Sequence, residues 1–172
     1  GGKFEISFFK KINKFYKNNI NLMMHNYFPY YKKSFVFNLA SQNKNIIKRS
    51  LNLAKNGIRI NSKLNSEYYA IHAGFLFDPK VNMLGDKPVP KQIINRRIAL
   101  QNFIKNVKIL SKYAYKKKIK LLIENNVVSA NQYLKYNYKP LMCDVDESLF
   151  IMKNTPENVS LLLDFGHLKV SS

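Results

Sequence analysis

Histidines and carboxylates follow short apolar runs at four places in the sequence. The run at 20–24 precedes His25, 68–71 precedes His72, 121–123 precedes Glu124, and 159–163 precedes Asp164, with His167 three residues later. Buried parallel strands read as continuous apolar runs, and α/β folds place their chemistry at the carboxyl ends of these strands. Imidazole and carboxylate groups together suit a divalent metal ion. The pattern therefore predicts a metal-dependent enzyme built on parallel strands.

Each of these residues also has an ordinary structural interpretation. Glu124 could be a solvated loop residue, although a glutamate that ends an apolar strand is costly to bury without a partner. Asp164 could cap a following turn and leave His167 exposed. His25 and His72 could each be a hydrogen-bonded structural residue. The sequence contains three histidines, however, and all of them fall at or just beyond a predicted strand end. This coincidence favours a shared site.

The elements that must position these residues alternate between helix and strand. Apolar spacing predicts helices at 4–17, 43–64, 91–117 and 147–154, and strands at 20–24, 68–72, 119–124 and 159–164. Ser41 is placed to cap the second helix. Glycines, prolines and polar residues predict loops at 25–42, 73–90, 125–144 and 166–172. This alternation predicts a parallel sheet with right-handed crossovers.

The number of elements predicts only part of a barrel. Four strands and four helices are found in the sequence, whereas a complete (β/α)8 barrel has eight of each in about 250 residues. The sequence opens on a predicted helix and stops just after a predicted strand. We therefore expect residues 1–172 to form a single α/β domain, a partial TIM barrel that is incomplete at both ends. Its first strand and its C-terminal third would be missing.

Composition excludes several other classes of protein. The net charge is +19, but the lysines are scattered through every predicted helix, whereas a nucleic-acid surface clusters them. Cys143 is the only cysteine, so no disulfide framework is expected, and a reducing cytoplasm is the default location. No run of 18 apolar residues predicts a membrane span. Apart from the first pair, the glycines stand singly, so no dinucleotide-binding or phosphate-binding loop is present.

Five short motifs occur in an order and at strand ends that resemble the xylose isomerase-like TIM barrel superfamily. They are His25-Asn26-Tyr27-Phe28, Asn38-Leu39-Ala40-Ser41, His72-Ala73-Gly74, Ile123-Glu124-Asn125 and Leu163-Asp164-Phe165-Gly166-His167. The superfamily contains sugar-phosphate isomerases and epimerases, and also apurinic endonucleases of the endonuclease IV type. The resemblance extends from about residue 20 to about residue 170.

The isomerase and epimerase branch implies one divalent metal ion, which would be manganese, zinc, magnesium or cobalt. The resemblance then implies that Glu124, Asp164 and His167 hold the metal and that Glu124 also acts as the catalytic base. Substrate-binding roles are implied for four further residues, which are His25, Asn38, His72 and Asn125. The expected substrate is a small sugar or sugar phosphate. The remaining ligands are expected after Ser172.

The endonuclease branch implies a multi-zinc cluster and a DNA partner. Residues that match all three histidines, Glu124 and Asp164 would belong to that cluster, and Tyr27, Phe28, Tyr30 and Tyr31 could stack on bases or equally wall a sugar pocket. The motif Glu124-Asn125-Asn126 and the long loop that follows favour the isomerase and epimerase branch. A piece of barrel with both sheet edges open could also be inactive by itself.

Overall fold

The computed structural model describes residues 6–15, 23–26, 34–85 and 87–171, in which parallel strands alternate with helices. The strands are β1 (Tyr68–His72), β2 (Lys120–Glu124) and β3 (Val159–Leu162), and they form a sheet in the order β1-β2-β3. The helices are α1 (Ile6–Phe15), α2 (Lys44–Lys63), α3 (Arg96–Lys116), α4 (Ala130–Tyr136), α5 (Val145–Lys153) and α6 (Phe165–Ser171), with a 3-10 turn at Val81–Met83. Within the described ranges, no helix combines the length and the apolar character needed to cross a membrane.

Strand register brings the ends of the three strands together. His72 of β1 lies beside Glu124 of β2, and Glu124 lies beside Leu162 of β3. Because successive strand residues point to opposite faces, these three side chains share one face of the sheet. The sequence therefore positions His72 and Glu124 for contact through pairing of the two strands.

The opposite face of the sheet packs against α2 and α3. Its fully buried side chains include Tyr69, Ile71, Leu121 and Ile123. A Cβ on Gly57 of α2 would lie 2.5 Å from Cε2 of Tyr69, so only glycine allows this ring to approach the helix. Each large apolar side chain buried in this way contributes about 1.5–3 kcal/mol. Helix packing thus fixes the sheet whose far end carries the polar residues.

The second predicted helix is confirmed, but its predicted cap is wrong. Asn43 caps α2, since its side-chain oxygen accepts hydrogen bonds from the N–H groups of Asn45 and Ile46. Ser41 instead accepts a hydrogen bond from the N–H of Asn43 and donates one to Asp78. The strands predicted at 68–72 and 119–124 are also present, the latter as Lys120–Glu124.

Three predicted boundaries of helices and strands are wrong, because hydrogen bonds start or end these elements at other residues. Helix α3 begins at Arg96 instead of residue 91, since Asn95 caps it and the N–H of Ile94 donates to the carbonyl of Leu76. Helix α5 begins at Val145, capped by Asp144. Strand β3 ends at Leu162 instead of residue 164. The N–H of Asp164 donates to the side chain of Asn125 and is no longer available to the sheet.

Two predicted loops contain helices. The region 125–144 includes α4, which Ser129 caps at its start. Asn137, with a left-handed φ of 46°, directly follows the end of the helix. The region 166–172 includes α6. Neither short helix has a buried residue, so no apolar stripe marked them in the sequence. The strand predicted at 20–24 and the aromatic residues at 27–31 lie partly or wholly outside the described residues. His25 makes a single parallel bridge to Ala70 of β1.

Candidate metal centre

Glu124 is the centre of the polar cluster at the end of the sheet. It is 5% exposed, and its carboxylate faces all three histidines. Oε2 lies 2.6 Å from Nε2 of His25 and 3.7 Å from Nδ1 of His72, whereas Oε1 lies 3.7 Å from Nδ1 of His167. An ionised carboxylate only accepts hydrogen bonds, so Nε2 of His25 is the donor. This bond orients the Glu124 carboxylate.

The two oxygens of Asp164 have different neighbours. Oδ1 accepts hydrogen bonds from the N–H groups of Gly166 at 2.7 Å and His167 at 3.1 Å, which caps the start of α6. Oδ2 lies 3.6 Å from Nε2 of His167. The capping role and the site role were alternatives in the sequence, and in the structure one oxygen is available for each.

A backbone carbonyl fixes the tautomer of His167. Nδ1 of His167 lies 2.7 Å from the carbonyl oxygen of Asn125, and a carbonyl only accepts, so Nδ1 carries the proton. The neutral ring then keeps a lone pair on Nε2, the nitrogen that faces Asp164. Proteins commonly orient a metal-binding histidine in this way.

Asn125 joins the ends of β2 and β3 with its side chain. Its Oδ1 accepts a hydrogen bond from the N–H of Asp164 at 2.6 Å, and its Nδ2 donates to the carbonyl of Asp164 at 3.2 Å. Both ends of the amide are therefore committed to the backbone of Asp164. The contact with substrate predicted for Asn125 gains no support from this geometry, which fits a positioning role.

Asn38 is likewise committed to the protein's own backbone. It is fully buried, its Nδ2 donates to the carbonyls of Phe75 and Phe77 and to Asp78, and its Oδ1 accepts from the N–H groups of Ala40 and Phe75. The predicted contact of Asn38 with substrate is not supported by these bonds. Asn38 instead anchors the loop that follows β1.

The local environment keeps His72 neutral and Asp164 ionised. Burial lowers the pKa of His72 to about 4, and the nearby carboxylate of Glu124 only partly opposes this shift. The N–H of His167, followed by that of Gly166, lowers the pKa of the exposed Asp164 carboxyl. A neutral imidazole and an ionised carboxylate are the forms that bind metal ions.

The five predicted residues His25, His72, Glu124, Asp164 and His167 are thus brought together, whereas Asn38 is not part of this cluster. Potential ligand atoms lie within 4.8 Å of one another in two overlapping groups. One group is His25, His72 and Glu124, and the other is Glu124, Asp164 and His167. Mixed imidazole and carboxylate donors at this spacing fit a divalent ion of the manganese, cobalt or zinc type.

A cavity of about 450 Å³ adjoins the cluster, and both His72 and His167 line it. Most of its wall is apolar and comes from the loops that follow β1 and β2. Asn126 also lines this cavity, and the sequence analysis did not assign it a role. Alternation could have indicated it, because residue 126 continues the side of the chain on which Glu124 lies.

Comparison with known families identifies the fold. The sequence profile described as xylose isomerase-like TIM barrel matches residues 10–171. The chain belongs to this family. The predicted resemblance is therefore confirmed. Comparison with curated proteins gives no significant match.

Several solved structures share the fold at low sequence identity. A D-tagatose 3-epimerase-like protein has a TM-score of 0.70 at 20% identity, covering 94% of this chain and 51% of that chain. D-psicose 3-epimerase from Clostridium cellulolyticum has a TM-score of 0.66 at 16% identity, covering 97% and 51%. A Thermus thermophilus protein soaked with zinc chloride has a TM-score of 0.60 at 12% identity, covering 95% and 53%.

The chain spans about half the length of the solved structures that it resembles. At these identities the likeness establishes the fold alone. The parallel strands and helices described above form part of an α/β barrel, which confirms the predicted fold class.

Proposed function

We propose that the protein is a divalent-metal-dependent sugar isomerase or epimerase and that residues 1–172 contribute part of a single barrel domain. The observation that carries this proposal is the convergence of three histidines and Asp164 around the buried carboxylate of Glu124. The sugar epimerases among the structures with the same fold support the class of substrate.

Glu124, Asp164 and His167 would hold the metal ion. Imidazole ligation favours manganese, cobalt or zinc over magnesium, which prefers oxygen ligands. A bound divalent ion polarises carbonyl and hydroxyl oxygens of a sugar and makes the neighbouring C–H proton easier to remove. In the neutral ring, the bond from Nδ1 of His167 to the backbone carbonyl of Asn125 leaves the lone pair on Nε2, the form that ligation requires.

Glu124 would move the proton. Its carboxylate would accept the proton as the C–H bond beside the sugar carbonyl breaks, and that proton would exchange with solvent before a proton is returned to carbon. Return to the neighbouring carbon, with a hydroxyl proton moving between the two oxygens, would complete an isomerisation. An epimerisation would need a second acid that protonates the opposite face of the original carbon, while the proton on Glu124 passes to solvent. The hydrogen bond from His25 holds the carboxylate in one orientation throughout.

The remaining residues divide between substrate contact and positioning. His25 and the neutral His72 have partly exposed side chains and would contact sugar hydroxyl groups. Asn38 and Asn125 would act through the backbone segments that they hold. Both assignments follow from which polar atoms remain available in the cluster.

The proposal is tested by proton exchange in heavy water. The intact protein, loaded with manganese, is incubated with D-tagatose, D-psicose, D-fructose or L-ribulose, or with a phosphate ester of each. Deuterium should appear at the carbon beside the carbonyl, as measured by NMR. Metal analysis should find about one tightly held ion per chain. Absence of exchange with every sugar and ester would contradict the proposal.

A zinc-dependent apurinic endonuclease is the second candidate. The observation that favours it is that three histidines, and not one, surround Glu124, in a chain with a net charge of +19. Clustered zinc ions would activate water for attack on phosphate, and the basic surface would attract DNA. Several tightly bound zinc ions together with cleavage of DNA at an abasic site would support this candidate over the first.

A further inference from the structure

We propose that the cavity beside Glu124 receives an uncharged, hydroxyl-bearing end of the substrate and that Oδ1 of Asn126 accepts a hydrogen bond from a hydroxyl group there. This inference rests on the proposed function and narrows it, because it distinguishes a free sugar from a sugar phosphate. It also assigns a role to a residue outside the predicted site.

In the side-chain amide of Asn126, the nitrogen has hydrogen-bond partners and the oxygen has none among the described residues. Asn126 is 5% exposed, and its Nδ2 donates to the carbonyl oxygens of Ala73 at 3.1 Å and Gly74 at 3.5 Å. Two carbonyl partners identify that end of the amide as the nitrogen. Oδ1 has no donor among the residues that the structure describes. Because Asn126 lines the cavity, Oδ1 is an acceptor available to a bound molecule.

The backbone around Asn126 holds this acceptor in place. The N–H of Asn126 donates to the carbonyl of Met142, and the N–H of Leu141 donates to the carbonyl of Gly74. Asn126 is therefore fixed between the end of β1 and the segment before α5. A group fixed before binding costs little entropy when the ligand arrives, which favours affinity.

The walls of the cavity fit a neutral ligand. They include Phe75, Phe77, Met83, Leu84 and Tyr138, and aromatic rings of this kind pack on the apolar face of a sugar. No lysine, arginine or carboxylate lines this cavity within the described part of the chain, although the sequence has 29 lysines and arginines. A phosphate group placed there would lose its hydration without gaining a lysine or arginine partner from the described residues that line the cavity.

Binding measurements test both parts of the inference. The intact, manganese-loaded protein is titrated by calorimetry with D-fructose, D-psicose, D-tagatose and the 6-phosphate of each. The tightest free sugar should bind at least about tenfold more tightly than its phosphate. Asn126→Ala should weaken binding of the free sugar about tenfold, as expected for loss of one hydrogen bond at a buried group.

Asn106→Ala is the matched control. Asn106 is also 5% exposed, and its Nδ2 donates to the carbonyl of Leu39 at 2.8 Å, outside the cavity lining. Both variants should lower the melting temperature to a similar extent, but Asn106→Ala should leave the Kd for the sugar unchanged.

Monodeoxy analogues of the sugar separate a direct contact from a structural effect. The wild-type protein should bind one of these analogues about tenfold less tightly than the parent sugar, whereas Asn126→Ala should bind that analogue and the parent equally. Tighter binding of a phosphate, or unchanged discrimination in Asn126→Ala, would overturn this inference and leave the proposed function standing. Failure of the wild-type protein to bind any sugar or phosphate would overturn both.

Discussion

At the scale of single residues, Glu124 concentrates the chemistry of the site. A carboxylate that is 5% exposed needs partners, and here they are histidines, which can share a proton or a metal ion with it. A carboxylate placed only for stability is more simply paired with arginine, as Glu147 is paired with Arg96 at 2.6 Å. The buried Glu124 and the partly buried Glu147 therefore illustrate two different settings of the same side chain.

Glu124→Gln should remove activity while preserving the fold. Glutamine keeps the shape and an oxygen acceptor for His25, but it loses the charge that binds a metal ion and the basicity that accepts a proton. We expect kcat to fall by about 10²–10⁴-fold, the range for loss of a general base. The melting temperature should change by only a few degrees. Steady-state kinetics and thermal unfolding measure the two effects.

Glu157→Gln is the control for this experiment, because Glu157 is an exposed glutamate in the turn before β3. It should change neither activity nor melting temperature. Full activity in Glu124→Gln combined with a large loss of stability would show that Glu124 is a structural residue.

The sequence indicated which residues meet at the strand ends, but not which polar atoms bond to which. The apolar runs before His72 and Glu124 were sufficient, because strand pairing alone aligns these two residues. The sequence could not show that the amides of Asn125 and Asn38 bond to backbone groups, since these bonds connect residues 37 to 39 positions apart. Alternation could have indicated Asn126, but not its hydrogen bonds to the carbonyls of Ala73 and Gly74, which lie 53 and 52 positions away.

At the scale of elements, the start of α5 holds together the segment that borders the site. Arg96 donates to both oxygens of Glu147 and to the carbonyls of Lys139 and Pro140. Glu147 also accepts a hydrogen bond from the N–H of Met142, which adopts a left-handed φ of 61°. Helices α3 and α5 thus fix the segment whose Met142 carbonyl binds the N–H of Asn126.

Asp144→Ala should destabilise α5 and this segment. The side chain of Asp144 caps the helix by accepting from the N–H of Glu147 at 2.9 Å, and loss of such a cap costs about 1 kcal/mol. That N–H also lowers the pKa of Asp144. Because the folded state favours the ionised form, the contribution is full above the usual carboxyl pKa of about 4 and disappears as the pH falls through the lowered value.

Denaturant unfolding of both proteins between neutral pH and pH 2 measures the effect of Asp144→Ala. The difference between wild type and variant should shrink in acid. Asp146→Ala is the control, since Asp146 adds a similar charge to the first turn of α5 but makes no capping bond. An equal loss of stability in the control would attribute the effect to charge alone.

The long helices were predictable because residues that become buried recur at helical spacing over many turns. Helices α2 and α3 each bury seven residues at helical spacing, and such a signal survives errors at single positions. Helices α4 and α6 have seven residues each and bury none, so only their caps distinguish them from loops. The predicted start of α3 at residue 91 was wrong. Residues 91–94 have helical composition, but the N–H of Ile94 donates to the carbonyl of Leu76.

At the scale of the whole molecule, the site joins segments that are far apart in sequence. The cluster combines His25 with the ends of β1 and β2 and with the segment that follows β3. A metal ion held by Glu124, Asp164 and His167 would therefore link the end of β2 to the segment that follows β3. Binding to the folded state alone stabilises that state by mass action.

Addition of manganese to the metal-free protein should raise its melting temperature. At a concentration about 100 times Kd, the stabilisation is about 2.7 kcal/mol. A chelator should reverse the rise, and Glu124→Gln should not show it. Differential scanning fluorimetry measures all three. A rise of the same size in Glu124→Gln would indicate that manganese binds somewhere else.

The side chain of Asn125 imitates a peptide group, because it offers one acceptor and one donor to the backbone of Asp164. These two hydrogen bonds hold the chain segments that follow β2 and β3 side by side, just beyond the last paired residues of the two strands. Asp164 is held by these bonds at the point where the chain turns into α6. The carboxylate of Asp164 therefore keeps its position near His167 although Asp164 lies beyond the end of β3.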